Sequence, residues 1–105
     1  MNIQPTTPLP AEWETYAKVF TALGDMHRQR ILLMFTPDKS LSIREIVGAM
    51  PLSRTAVVHH LHVLAQADIL RTERQGKETH YRVHSPAIRE ALSRVLGYLD
   101  LHHYP

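Results

Sequence analysis

The chain has 105 residues, 44% of them hydrophobic and 21% charged, with a formal net charge of +2 and no cysteine. That is the size and composition of one ordinary globular domain, and the missing cysteines exclude disulfides, thiolate metal sites and thiol catalysis. No apolar run approaches the length of a membrane span. The start "MNIQPTTPLP" lacks the basic and apolar parts of a secretory signal, so the expected location is cytoplasmic. Residues 1–10, polar and Pro-rich, read as a flexible arm ahead of a single domain over 11–103.

From Ala11, apolar residues recur at Trp13, Tyr16, Phe20 and Leu23, the spacing of one helix face, and Gly24 ends the run. Asp25 is placed to cap a second helix through Met26–Phe35, with Ile31, Leu32, Met34 and Phe35 inward. After the turn Thr36-Pro37-Asp38-Lys39, Ser42 and Glu45 form a capping box that opens a short third helix. Pro51 breaks it, and Ser53 caps a fourth helix to about Ala67. Two helices joined by so tight a break make a helix-turn-helix pattern.

Two β-prone runs follow, "DILRTER" and "THYRVH", around the hairpin loop Gln75-Gly76-Lys77-Glu78. Ser85-Pro86 then reads as a cap with proline at the first helical position. The last helix carries Ile88, Leu92, Val95, Leu96 and Leu99 on one side. The expected fold is mainly α with a two-stranded β wing, in the order α-α-α-α-β-β-α: a winged helix-turn-helix. Asp100-Leu101-His102-His103 reads as a frayed, solvated end.

Charge is unevenly placed along this order. Residues 1–52 and 85–105 are each neutral, whereas 53–84 carry five basic and three acidic side chains and five of the eight histidines. A basic bias confined to the fourth helix and the wing suits a surface that faces a polyanion. No nucleophile–base constellation, Gly-rich phosphate loop or paired acid motif occurs, so no catalysis is expected.

The stretch "SRTAVVHHLHVL" concentrates the question, with His59, His60 and His62 in four positions. At 100° per residue His60 lies about 160° from His62, so the three cannot hold one ion. His60 falls in register with Val57, Leu61 and Leu64 and reads as a packed structural histidine. His59 and His62 share the polar side with Arg54 and Thr55. They suit phosphate or base-edge contact, against solvated surface or an incomplete metal pair.

With these elements in place, the chain resembles the ArsR family of bacterial winged-helix repressors over residues ~11–100. The stretches that carry the likeness are "FTALGDMHRQRILLMF", "LSIREIVGAMPLSRTAVVHHLHVLAQADIL" and "RTERQGKETHYRV". The resemblance implies a homodimer built on the first and last helices, through Trp13, Tyr16, Phe20, Leu92, Val95, Leu96 and Leu99. It implies double-stranded DNA as partner, with the fourth helix in the major groove. The expected DNA contacts are Ser53, Arg54, Thr55, Val58, His59 and His62, joined from the wing by Arg71, Arg74, Gln75 and Lys77.

Asp68 stands where the family usually has the glycine that ends this helix, and aspartate tolerates the left-handed conformation needed there. The family's metal-ligand positions fall here on Ser42, Arg44, Ser85, Ala87, Tyr98 and Leu101, so no metal site and no cofactor are expected. A His-based interfacial metal site, using His84 with His102 or His103 of the other subunit, stays open as an alternative, as does a winged-helix protein-interaction module. No membrane partner is expected. The sequence identifies no small-molecule effector and no operator.

Overall fold

A computed structural model describes residues 4–105. Residues 1–3 of the expected arm lie outside the described residues; residues 4–9 are exposed and non-helical. Helix α1, Ala11–Leu23, starts at Pro10, whose carbonyl accepts from the Trp13 and Glu14 amides at 2.9 and 3.2 Å. Glu12 and Glu14 in its first turn complement the positive end of the helix dipole.

The Asp25 side chain caps α2, Met26–Leu32, accepting from the His27 and Arg28 amides at 2.8 and 3.1 Å. This helix stops three residues short of the expected Phe35. Its bonds tighten from Leu33 N–H to the Gln29 carbonyl into Met34 to Ile31 and Phe35 to Leu32. That tighter winding keeps Met34 and Phe35 packed on the core and leaves Leu33 85% exposed.

The wing has a third strand that the expected two-stranded hairpin lacked. Strand β1, Leu41–Ser42, pairs antiparallel with β3, Glu78–Val83, which pairs in turn with β2, Leu70–Gln75. Two residues are too few to leave any alternation in a sequence. Ser42 serves twice: it pairs with His80 and caps α3, Ile43–Ala49. The capping box is complete, with Ser42 Oγ accepting from Glu45 N–H at 3.0 Å and Glu45 Oε1 accepting from Ser42 N–H at 3.1 Å.

Helix α4, Arg54–Gln66, is capped by Ser53, whose Oγ accepts from Ala56 N–H at 3.2 Å. It ends with Asp68 at φ 59°, Asp68 N–H on the Ala65 carbonyl and Ile69 N–H on Leu64, both at 3.0 Å. These are the paired bonds of a Schellman motif, made without glycine. Between β2 and β3, Gln75 pairs with Glu78, so the loop is Gly76-Lys77. Gly76 has φ +65° while Lys77 is not left-handed, as in a II′ turn with glycine first.

Helix α5, Pro86–Leu101, has proline in its first turn, but Ser85 makes no side-chain cap; its hydroxyl accepts from Arg89 Nε at 3.2 Å instead. The end of α5 is not frayed. His103 is left-handed at φ 54°, its N–H reaches the Asp100 carbonyl, and Tyr104 N–H reaches Leu99. Tyr104 folds back so that its ring stacks 6.2 Å from that of Tyr98.

One core unites these elements, with Val19, Ile31, Ile46, Leu61, Leu64 and Ile69 almost wholly buried. Only Ala91 of α5 is fully buried, beneath α1. Tyr16 donates to Glu90 Oε1 at 3.0 Å, and Arg94 bridges Glu90 and Glu12 at 3.2 Å each. The other side of α5 carries Leu92, Leu96 and Leu99, which are 48%, 60% and 40% exposed.

Candidate nucleic-acid interface

Val57, Leu61 and Leu64 face the core, so the remaining sides of α4 are fixed. His60 lies at the edge of the inward side, where Arg28 Nη1 reaches its Nδ1 at 3.1 Å. Arginine only donates, so Nδ1 accepts and the ring proton sits on Nε2. Burial lowers the pKa of His60, and Asp25 partly opposes that shift. The same Arg28 donates from Nε to the Ala22 carbonyl at 2.7 Å and from Nη2 to Thr21 at 3.1 Å. One guanidinium thereby ties α4 to the end of α1. The packed structural histidine expected from sequence has its partner.

Ser53, Arg54, Thr55, His59 and His62 are exposed, with Val58 half-buried beside them. In the wing Arg71, Arg74, Gln75 and Lys77 are all exposed. They do not share one side. Register pairs Arg71 with Arg82 and Gln75 with Glu78, whereas Arg74 pairs with Thr79 on the opposite pleat and Lys77 sits at the tip. Arg71 is engaged by Asp68 through Nε at 3.1 Å and Nη2 at 3.3 Å, which holds that carboxyl below the usual range. Gln75 Nε2 donates to Ser40 Oγ at 3.0 Å and Glu73 Oε1 at 2.7 Å.

The residues that come together are Arg54 and Lys77. They line a cleft of ≈ 210 Å³ with Ser42, Ile43, Arg44, Glu78 and Thr79, where α3, the start of α4 and the wing tip meet. Arg44 is the functional candidate that sequence reasoning missed. Its neighbours Lys77 and Glu78 are over thirty positions away and arrive through the β1–β3 pairing. Among the described residues, Arg44, Arg54, Arg74 and Lys77 take part in no ion pair. Three cations around an open cleft, with only Glu78 opposing, can donate to the oxygens of a phosphate chain.

A helix-turn-helix domain family matches residues 23–73. Over 82 residues the chain is 35% identical to the arsenic resistance transcriptional regulator ArsR1 of Pseudomonas putida, covering 78% of this chain and 64% of that protein. The structure of an ArsR-like transcriptional regulator from Rhodococcus sp. RHA1 superposes with a TM-score of 0.75 at 26% identity, covering 86% and 81% of the two chains. The chain is a helix-turn-helix transcriptional regulator similar to the ArsR family. The winged fold also matches a homodimeric winged helix-turn-helix DNA-binding domain from Mycobacterium bovis, at a TM-score of 0.68, 21% identity and 96% coverage of each chain.

The chain's named relatives and structural neighbours are likewise DNA-binding transcriptional regulators rather than enzymes. Its other features sit around that machinery. His84 Nε2 lies 3.9 Å from Asp68 Oδ2, and the His102 ring packs 4.3 Å from that of Tyr98. Among the described residues no three His, Asp or Glu side chains gather where one metal ion could be held. No helix of the described chain is long and apolar enough to cross a membrane.

Proposed function

We propose that the chain acts in the cytoplasm as a homodimeric repressor that binds an inverted-repeat operator. The cluster of Arg44, Arg54 and Lys77 around one cleft carries this reading, because it joins the helix-turn-helix to the wing with net positive charge. Helix α4 enters the major groove, where Arg54 forks onto a guanine edge and His59 and His62 donate to phosphates or base acceptors. Ser53 and Thr55 contact the backbone at the helix start, and Val58 meets a thymine methyl. Arg74, Gln75 and Lys77 follow the flanking backbone or minor groove; Arg71 joins them by exchanging Asp68 for a phosphate.

The exposed leucines of α5 form the dimer seam, and Trp13 and Phe20 of α1, half-buried on the core, contribute from the first helix. Tyr16 is already 5% exposed within the protomer and supports that seam from beneath. A two-fold dimer presents two α4 helices to half-sites about one helical turn apart, and occupancy of a promoter then blocks transcription. In-vitro selection from random DNA tests this directly. The expected product is an inverted repeat that, placed in a promoter, lowers reporter output when the protein is present. Enrichment of single half-sites, or of no sequence, would sink it.

A further inference from the structure

A second cleft, sharing no lining residue with the basic one, lies between the α2–β1 turn, the end of β3 and the start of α5. Its volume is ≈ 480 Å³, within the range of small-molecule sites. Its apolar wall is made by Leu32, Phe35, Val83 and Ile88, and three cations, Lys39, Arg82 and Arg89, stand around it. No carboxylate is among the lining residues. Arg82 is neutralised by Glu73, at 3.3 Å, whereas Lys39 and Arg89 have no acidic partner among the described residues. Ser85 adds a hydroxyl, held by Arg89 Nε at 3.2 Å.

We infer that this cleft binds a small organic carboxylate with an aromatic or branched apolar body, and that its occupancy alters operator affinity. An apolar wall about the size of one ring, with two free cations at its rim, is complementary to such a molecule and to neither a neutral nor a cationic one. The coupling follows from what the lining residues belong to. Lys39 lies two residues before β1, which pairs with β3 and supplies the Ser42 cap of α3. Arg82 and Val83 end the wing strand, and Ile88 and Arg89 begin the helix that bears the exposed leucine stripe. A ligand that draws Lys39 and Arg89 toward one carboxylate shifts the wing and α3 relative to α5, and with them the spacing of the two α4 helices. A ligand with equal affinity for both arrangements would change nothing, so the effect requires this differential contact.

This inference rests on the DNA-binding reading, and its test separates the two. Phenylacetate is titrated into the intact isotope-labelled protein, with benzylamine, benzyl alcohol and inorganic phosphate as controls. Saturable millimolar binding is expected, with the largest amide shifts at Lys39, Arg82, Val83 and Arg89. Lys39→Gln with Arg89→Gln, both at exposed positions, should weaken it about tenfold or more, the scale of a lost charge-assisted hydrogen bond.

Shifts centred elsewhere, no saturation, or equal binding of benzyl alcohol or phosphate would overturn the site. Binding that leaves affinity for the selected operator unchanged would overturn its regulatory role. The ligand-free protein's own affinity for DNA reports on the underlying reading, whichever way these results fall.

Discussion

Replacing Leu96 by glutamate puts a carboxylate in the middle of the exposed stripe on α5. Full burial of a leucine side chain is worth about 1.5–3 kcal/mol. Scaled by exposures of 48%, 60% and 40%, Leu92, Leu96 and Leu99 hold about 2–4.5 kcal/mol of unused burial per protomer, or about 4–9 across a symmetric pair. That is comparable with the lower part of the cost of bringing two proteins together, so these leucines dominate the balance. Leu96→Glu removes about 1–2 kcal/mol of burial from each protomer and adds a desolvated carboxylate on each side of the two-fold axis. A total of at least about 4 kcal/mol follows, weakening dimerisation about a thousandfold.

The protomer itself should survive, since Leu96 is 60% exposed within it. Sedimentation equilibrium, with circular dichroism as the check on folding, measures both effects. Leu33→Glu is the control, because Leu33 is 85% exposed and belongs to the end of α2, not to α5. A wild-type dimer constant for Leu96→Glu, or dissociation by Leu33→Glu instead, would refute the assignment of the seam.

Operator affinity should fall steeply with salt, by about 0.9 in log–log slope per phosphate neutralised, and Arg44→Ala or Lys77→Ala should each reduce that slope by about one. Arg54→Ala should instead relax preference at one half-site position by about 1–3 kcal/mol, read by competition between variant operators. Asp68→Val places a β-branched residue at φ 59° and removes the partner of Arg71, so chemical denaturation should show a loss of about 1–3 kcal/mol. The folded state disfavours protonated His60, so the unfolded chain binds that proton first. Stability is then fully present above the ordinary histidine pKa, about 6.5, and falls as pH drops through it toward the depressed folded value. Arg28, His27 and His59 face the ring and resist its protonation while Asp25 favours it; His60→Gln should flatten the urea midpoint between neutral and mildly acidic pH. Zinc, nickel or cobalt should leave operator affinity within about threefold, since the family's ligand positions hold no set of thiolate, imidazole or carboxylate donors.

Four of the five helices were legible through two independent signals, an apolar period and a residue of capping chemistry at the start, whereas α1 had its period and the stop at Gly24. Asp25, Ser42 and Ser53 all make the bonds their positions imply. Ser85 does not, since its backbone is helical and its hydroxyl turns to Arg89. The end of α2 was misplaced because Met34 and Phe35 stay on the core in a tighter turn as well as in a helix, so burial alone could not mark the change. The inward position of His60 followed from period, but its partner Arg28 is 32 residues away and no local pattern points to it. Arg44 was missed for a related reason. An exposed arginine in the first turn of a short helix looks like ordinary surface until a strand pair brings Lys77 to its side.

That strand pair is also the element with the most consequences for its size. Leu41 and Ser42 pair with Tyr81 and His80, and Tyr81 is 3% exposed, so the join is anchored in the core. On one side of it Lys39 borders the larger cleft; on the other Ser42 and Arg44 border the basic one. His80 Nδ1 lies 3.3 Å from Ser40 Oγ, which also accepts from Gln75 Nε2, so the wing is laced to the same few residues. The Ser42 hydroxyl and the Glu45 carboxylate then pass any displacement of this segment to the first turn of α3, where Arg44 stands. A rigid cap at one end and a core tyrosine at the other leave the segment little room to move independently of α3. Arg44 at the basic cleft and Lys39 at the larger one are therefore positioned by one two-residue strand.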